Sequence, residues 1–145
     1  MQMDEEMDHG PILAQASVTP DVWPPHAHEL EDILMHEGGK LLAKTIPPYL
    51  AGAITPKEQD HSKATYCELF TKEDGLIDLN DDPKENLLKI RAFEGWPGTY
   101  FYVTKNGKKE RLKIAEARLG GDGRLLFERV IPDGKKEMPY VDFLR

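Results

Sequence analysis

Two stretches of this chain carry residue types at spacings that could do chemistry. In the first, Tyr100, Tyr102, Lys109, Arg111 and Lys113 flank the dipeptide Asn106-Gly107. Asn-Gly between two alternating runs is a strong hairpin signal, and a two-residue turn pairs 105 with 108, 103 with 110, 101 with 112 and 99 with 114. That register predicts Phe101, Val103, Leu112 and Ile114 on a buried face, with both tyrosines and all three cations on the opposite one. Rings interleaved with cations on an open sheet face can neutralise phosphates and stack on unpaired bases. The same pattern also suits a solvated hairpin whose lysines keep a sheet edge from aggregating. Lys135 and Lys136, just after the turn Pro132-Asp133-Gly134, are a second basic candidate.

The second stretch is Glu6-Met7-Asp8-His9-Gly10, a turn-rich loop that leads into an apolar run. A carboxylate held there, at the end of a strand, could assist proton transfer or orient a histidine. It could equally be an ordinary turn aspartate. Five histidines, at 9, 26, 28, 36 and 61, raise the question of a metal. On a helix, His26 and His28 would point to different sides, and no carboxylate or cysteine spacing completes a ligand set, so no metal is expected. Cys67 stands alone, which excludes an internal disulfide and fits a reducing, cytoplasmic location.

Several elements must position these groups. Asp82 followed by Pro83 is an N-cap with proline at the first helical position, and Leu87, Leu88 and Ile90 give the following helix an apolar side. Gly95 ends that helix, and Trp96-Pro97-Gly98 turns the chain into the aromatic strand beginning at Thr99. Upstream, 12–18 reads as a short strand and 26–53 as a long helix, weakened at Gly38-Gly39 and broken by Pro47-Pro48. Residues 54–64 read as a linker. Beyond it, 65–70 and 72–79 read as short extended runs around the Asp74-Gly75 turn, and strands are predicted over 108–114, 115–119 and 124–131, with a helical turn in 138–144. Short strands with regular turns and one helix point to a small barrel or meander of the oligonucleotide-binding (OB) type. The first segment is harder to place. One strand and one helix cannot bury each other's apolar surface against the entropy of ordering some fifty residues, so the segment reads as the tail of an α/β domain or as a docking piece.

Composition narrows the classes further. Charged residues make up 31% and hydrophobic residues 39%, which is ordinary for a folded chain, and no apolar run is long enough for a membrane span. All of the net charge of −7 falls in residues 1–59, which hold three lysines against ten acidic residues. Between 105 and 136 there are ten basic and five acidic side chains, so a polyanion meeting that segment meets a positive field.

Five motifs occur in order: Met3-Asp4-Glu5-Glu6-Met7-Asp8-His9-Gly10-Pro11-Ile12, Gln59-Asp60-His61-Ser62-Lys63-Ala64-Thr65-Tyr66, Thr71-Lys72-Glu73-Asp74-Gly75-Leu76-Ile77-Asp78, Ile90-Arg91-Ala92-Phe93-Glu94-Gly95-Trp96-Pro97-Gly98, and Val130 to Met138. Together they resemble the methionyl-tRNA formyltransferase family across essentially the whole chain. The resemblance implies an α+β chain in which residues 1–58 are the last part of a Rossmann-like formyltransferase domain and 59–145 an OB-like barrel. It implies transfer of a formyl group from 10-formyltetrahydrofolate to the amine of methionyl initiator tRNA. An Asn and a His stabilise the oxyanion, while an Asp tunes that His. Asp8 matches this aspartate, in an Asp-x-Gly loop where His9 fills the variable position, and Glu6, Met7 and Gly10 match the loop lining the folate site. The family's Asn-x-His stretch lies upstream of anything matched here, so the chain alone is expected to be inactive and to need the N-terminal half as partner. A non-catalytic tRNA-binding module is the alternative, and the related sugar formyltransferases a third.

Overall fold

The computed structural model describes residues 1–105 and 107–145, and these group into two units, one of 1–23 and 29–68, the other of 24–28 and 69–145. Helix α1 (Ala27–Leu50), in the first unit except for its first two residues, runs through Gly38-Gly39 and keeps Pro47 and Pro48 inside it. The expected break at the prolines does not occur. Both sit in the last turn, where the two missing amide donors cost only two intrahelical bonds. Past them the chain recovers its partners: Ala51 N donates to Pro47 O at 3.1 Å and Ala53 N to Pro48 O at 2.9 Å. Gly52, at φ +70°, takes the left-handed conformation that closes a helix.

The strand expected over 12–18 is also absent. Ile12 alone forms an isolated antiparallel bridge with Lys57, through bonds of 2.8 and 2.9 Å. A strand persists only where a neighbour of similar length satisfies its backbone, and Lys57 supplies one residue of it. As a result α1 buries only Thr45, whose hydroxyl donates to Leu41 O at 2.7 Å, while Leu34, Met35, Leu42, Ile46 and Leu50 stay exposed.

The second unit follows its sequence more closely. The Asp82 carboxylate accepts from Lys84 N at 2.9 Å and starts α2 (Pro83–Ala92), with Pro83 in the first turn. Leu87 and Ile90 face the core, and the chain then turns through the cis Trp96–Pro97 peptide and Gly98 into β1 (Thr99–Lys105). Strands β2 (Lys108–Leu119), β3 (Leu125–Pro132) and β4 (Met138–Pro139) complete an antiparallel meander in the order β1-β2-β3-β4, followed by the short helix α3 (Tyr140–Phe143). Pairing of β1 with β2 has the predicted register: Thr99 opposite Ile114, Phe101 opposite Leu112, Val103 opposite Glu110, Lys105 opposite Lys108. Of the turn itself, Asn106 lies outside the described residues.

Two expectations are corrected here. Residues 108–119 form one strand instead of two: pairing with the next strand continues across register irregularities between Ile114 and Ala117. Residues 65–70 form no strand, and Tyr66 and Leu69 are almost fully exposed. Leu76 instead reaches the sheet by a parallel bridge to Tyr100. Phe101, Leu112, Ile114, Ala117, Val130, Phe143, Ile77, Leu87 and Ile90 form the core. The architecture is α+β, the second unit an OB-like sheet packed by α2 and α3. No helix among the described residues is long and apolar enough to cross a membrane.

Candidate functional site

Alternation along β1 and β2 sets the first candidate site. Phe101, Leu112 and Ile114 are buried, and their neighbours Tyr102, Lys109, Arg111 and Lys113 are exposed on the other face, with Tyr100 half-buried beside them. The two tyrosine rings meet edge to face with centroids 5.7 Å apart. Lys109 Nζ lies 4.2 Å from the Tyr102 ring centre and Arg111 Cζ 5.6 Å from that of Tyr100, so each ring carries a cation on its π face. Lys113 extends across Gly98, where a Cβ would sit 2.8 Å from its Cε; Gly98 is at φ +74°, so glycine is needed there for space and for backbone.

Arg111 is not free for a ligand as it stands. Its Nη2 and Nε donate to Asp133 Oδ1 at 2.9 and 3.1 Å. That bond ties the turn after β3 to the hairpin, and the same turn carries Lys135 and Lys136, both exposed. All seven basic and aromatic candidates thus belong to one continuous part of the sheet, its hairpin face and the adjoining turn.

The Asp8 loop lies in the first unit. Asp8 is exposed and adopts φ 54°, a left-handed conformation that aspartate tolerates better than most residues. The Gln59 amide holds the loop in that shape: Nε2 donates to Asp8 O at 2.9 Å and to Gly10 O at 2.7 Å. Gly10 is buried, and a Cβ on it would lie 1.9 Å from Gln2 O, so the glycine of the motif is sterically required. Glu6 and Met7 are exposed. His9 is engaged elsewhere, with Nδ1 2.7 Å from Asp4 Oδ2 and its ring stacked on His61 at 3.7 Å. The hydrogen bond to Asp4 raises the His9 pKa against a smaller effect of burial, and the same bond lowers the Asp4 carboxyl.

A third cluster escaped the sequence reading. His26 is the residue before α1 and not a member of it, so helical spacing does not separate it from His28. Both turn to Glu94, just beyond α2: His26 Nδ1 lies 3.1 and 3.2 Å from the two carboxylate oxygens, and His28 Nδ1 lies 3.2 Å from Oε2. Arg91 Nη1 donates to the same His26 ring and lies close to both of its nitrogens. Burial pushes the Glu94 carboxyl up, but the bonds and charges of His28 and His26 outweigh it and hold the group below the usual carboxylate range. The available signal was Pro24-Pro25, which keeps the chain extended up to His26 and delays the helix start. Glu94 itself could not be foreseen, since the contact spans 66 to 68 residues.

Residues 69–122 match the family model described as formyl transferase, C-terminal domain. Methionyl-tRNA formyltransferase of Roseiflexus castenholzii is 34% identical over 170 aligned residues, covering 100% of this chain and 52% of that protein. Its namesake from Chloroflexus aurantiacus is 42% identical over 104 residues, or 70% of this chain and 33% of that protein. Among solved structures, methionyl-tRNA formyltransferase from Clostridium thermocellum superposes with a TM-score of 0.60 at 23% identity, over 90% of this chain and 52% of that one. HypX from Aquifex aeolicus gives 0.66 at 17% identity, over 97% of this chain and 29% of that one. The chain spans about half the length of the curated relatives it matches.

Proposed function

We propose that this chain, a relative along its whole length of the C-terminal part of methionyl-tRNA formyltransferases, holds the tRNA and supplies one acidic loop for a formyl transfer. Residues 1–58 are then the end of the formyl-transferring domain and 59–145 the OB-like module. The donor is 10-formyltetrahydrofolate, the acceptor the amine of methionyl initiator tRNA, and the compartment the cytoplasm. The observation that carries the reading is the face of Tyr100, Tyr102, Lys109, Arg111 and Lys113 on a sheet whose residues match a formyl transferase C-terminal domain. In this reading the cations neutralise phosphates, the rings stack on unpaired bases or riboses, and Lys135 and Lys136 extend the track.

Asp8 plays the part of the aspartate that orients a catalytic histidine and assists proton transfer, and Glu6, Met7 and Gly10 line the folate. The Gln59 amide supports that role by fixing the Asp8 backbone without occupying its carboxylate. Attack of an amine on a formyl carbon builds an oxyanion, and each donor that holds it is worth about 3–4 kcal/mol. No Asn-x-His triplet occurs in the 145 residues to provide such donors. The chain alone is therefore expected to bind tRNA and not to formylate it; transfer needs a partner half that carries those groups. Formylation of methionyl-tRNA by the purified chain would overturn this division of labour.

Binding is tested by replacing Lys109, Arg111 and Lys113 with Ala together. Removing three phosphate contacts flattens the slope of log affinity against log salt by roughly two to three units. The fold persists, because those side chains point away from Phe101, Leu112 and Ile114. An unchanged slope would reduce the hairpin to a solvated edge.

A further inference from the structure

We propose that His26, His28 and Glu94 form a binding site for a zinc-class divalent cation, with three protein ligands and one open position. The site lies wholly in the second unit and is independent of the tRNA reading. The distances suit such an ion. Nδ1 of His26 and Nδ1 of His28 lie 3.1 and 3.2 Å from the same Glu94 oxygen, and the three ligand atoms are all within 4.8 Å of one another. A tetrahedral ion with bonds of about 2.0–2.1 Å sets its ligands about 3.3 Å apart. Two of the three edges therefore already have the length that zinc requires, and only the edge between the imidazoles has to close.

Donor chemistry narrows the ion. Two neutral imidazoles with one carboxylate suit Zn²⁺, and by the usual order of divalent affinities Cu²⁺ and Ni²⁺, far better than Mg²⁺ or Ca²⁺, which prefer all-oxygen sets. The elements hold the ligands differently. Glu94 follows the C-terminal end of α2, whose partial negative charge favours a cation, while the N-terminus of α1 and the Arg91 guanidinium oppose one. His28 is largely exposed and the ion would keep contact with water, so binding falls in the micromolar range instead of that of a closed structural zinc.

Arg91 gives the proposal a consequence that a chance cluster lacks. An imidazole that binds metal through Nδ1 carries its proton on Nε2, where it no longer accepts a bond. Arg91 Nη1 lies against both nitrogens of the His26 ring, so it must withdraw when an ion enters. The guanidinium is loosely satisfied, its Nε being buried with no hydrogen-bond partner among the described residues. It is thus a competitor built into the site, and removing it tightens binding.

The experiment titrates the full chain with Co²⁺, reading the visible bands of a four-coordinate ion, and then displaces it with Zn²⁺. One equivalent is expected to bind at or below about 100 µM. Glu94→Gln, which keeps the shape and can still hydrogen-bond both rings, and His28→Ala are each expected to weaken binding by at least about tenfold, as loss of a ligand does. Arg91→Met strengthens it, and His36→Ala and His61→Ala leave it unchanged. Circular dichroism confirms that each variant is folded. Absence of stoichiometric binding by the wild-type chain, or binding that survives both Glu94→Gln and His28→Ala, overturns the proposal, as does loss of binding in His36→Ala or His61→Ala.

Discussion

His9 shows how much of a residue's environment a motif leaves out. The motif sets it in the variable position beside Asp8, and the structure turns its ring to Asp4 and His61. The pairing has a definite pH signature. The hydrogen bond to Asp4 raises the His9 pKa above its ordinary 6.5, so the protonated form gains; that gain is full below 6.5 and is lost as pH rises through the raised midpoint. Asp4, lowered from 3.8 chiefly by the same bond, contributes above that value and loses its contribution as pH falls through the depressed midpoint. The pair therefore orders the loop best between the two ordinary values, in mildly acidic solution. Both side chains are 36% exposed, so solvent screens the pair and the consequence is local to the loop. Histidine NMR is expected to place the His9 midpoint above 6.5 in the wild type and to bring it down in Asp4→Asn. A midpoint that ignores the substitution would remove Asp4 from the account.

Elements were legible in proportion to how local their signals are. Asp82, Pro83 and the apolar spacing after them fix α2, because cap, first turn and buried side all lie within ten residues. The β1–β2 register follows from one dipeptide and a period of two. What could not be read depends on partners distant in sequence: the shortness of the Ile12 pairing, the undivided β2, and the approach of Glu94 to two histidines. Gly75 belongs to this second class. The sequence marks it as a turn glycine beside Asp74, yet the structure uses its missing side chain for packing. A Cβ there would lie 2.1 Å from Gly98 O, where Leu76 bridges Tyr100 and Ile77 N donates to Tyr100 O at 2.8 Å. Gly75→Ala must push that crossing off β1, and the expected loss is about 1–3 kcal/mol or more, as for overpacking in a core. Urea denaturation followed by far-UV circular dichroism measures it. Unchanged stability would mean that the crossing segment shifts freely and contributes little to the sheet.

Across the whole molecule, the two units differ in what holds them. The second has a core in which Leu112 and Val130 are fully buried, and the apolar faces of β1, β2, β3, α2 and α3 meet there. The first holds all but two residues of a 24-residue helix that buries one threonine and leaves Leu34, Leu42, Ile46 and Leu50 exposed, and the segment after that helix meets residues 8–12 through the Ile12–Lys57 bridge, the Gln59 amide and the His9–His61 stack. Helices are held by tertiary packing more than by intrinsic propensity, and α1 carries two internal glycines and two prolines that lower its propensity further. Amide hydrogen exchange in the full chain is therefore expected to divide sharply. Amides of β1, β2 and β3 should exchange only on global unfolding, while those of α1 exchange through local fraying, orders of magnitude faster. The sequence already indicated this imbalance, since one helix with no matched sheet cannot offset its ordering entropy. Equal protection in α1 and the sheet strands would show that the exposed leucines are covered in solution, by a second copy or another surface, and protein concentration would then separate the cases. Protection of α1 that rises with concentration belongs to self-association, whereas protection independent of it means the helix has found apolar cover within its own chain.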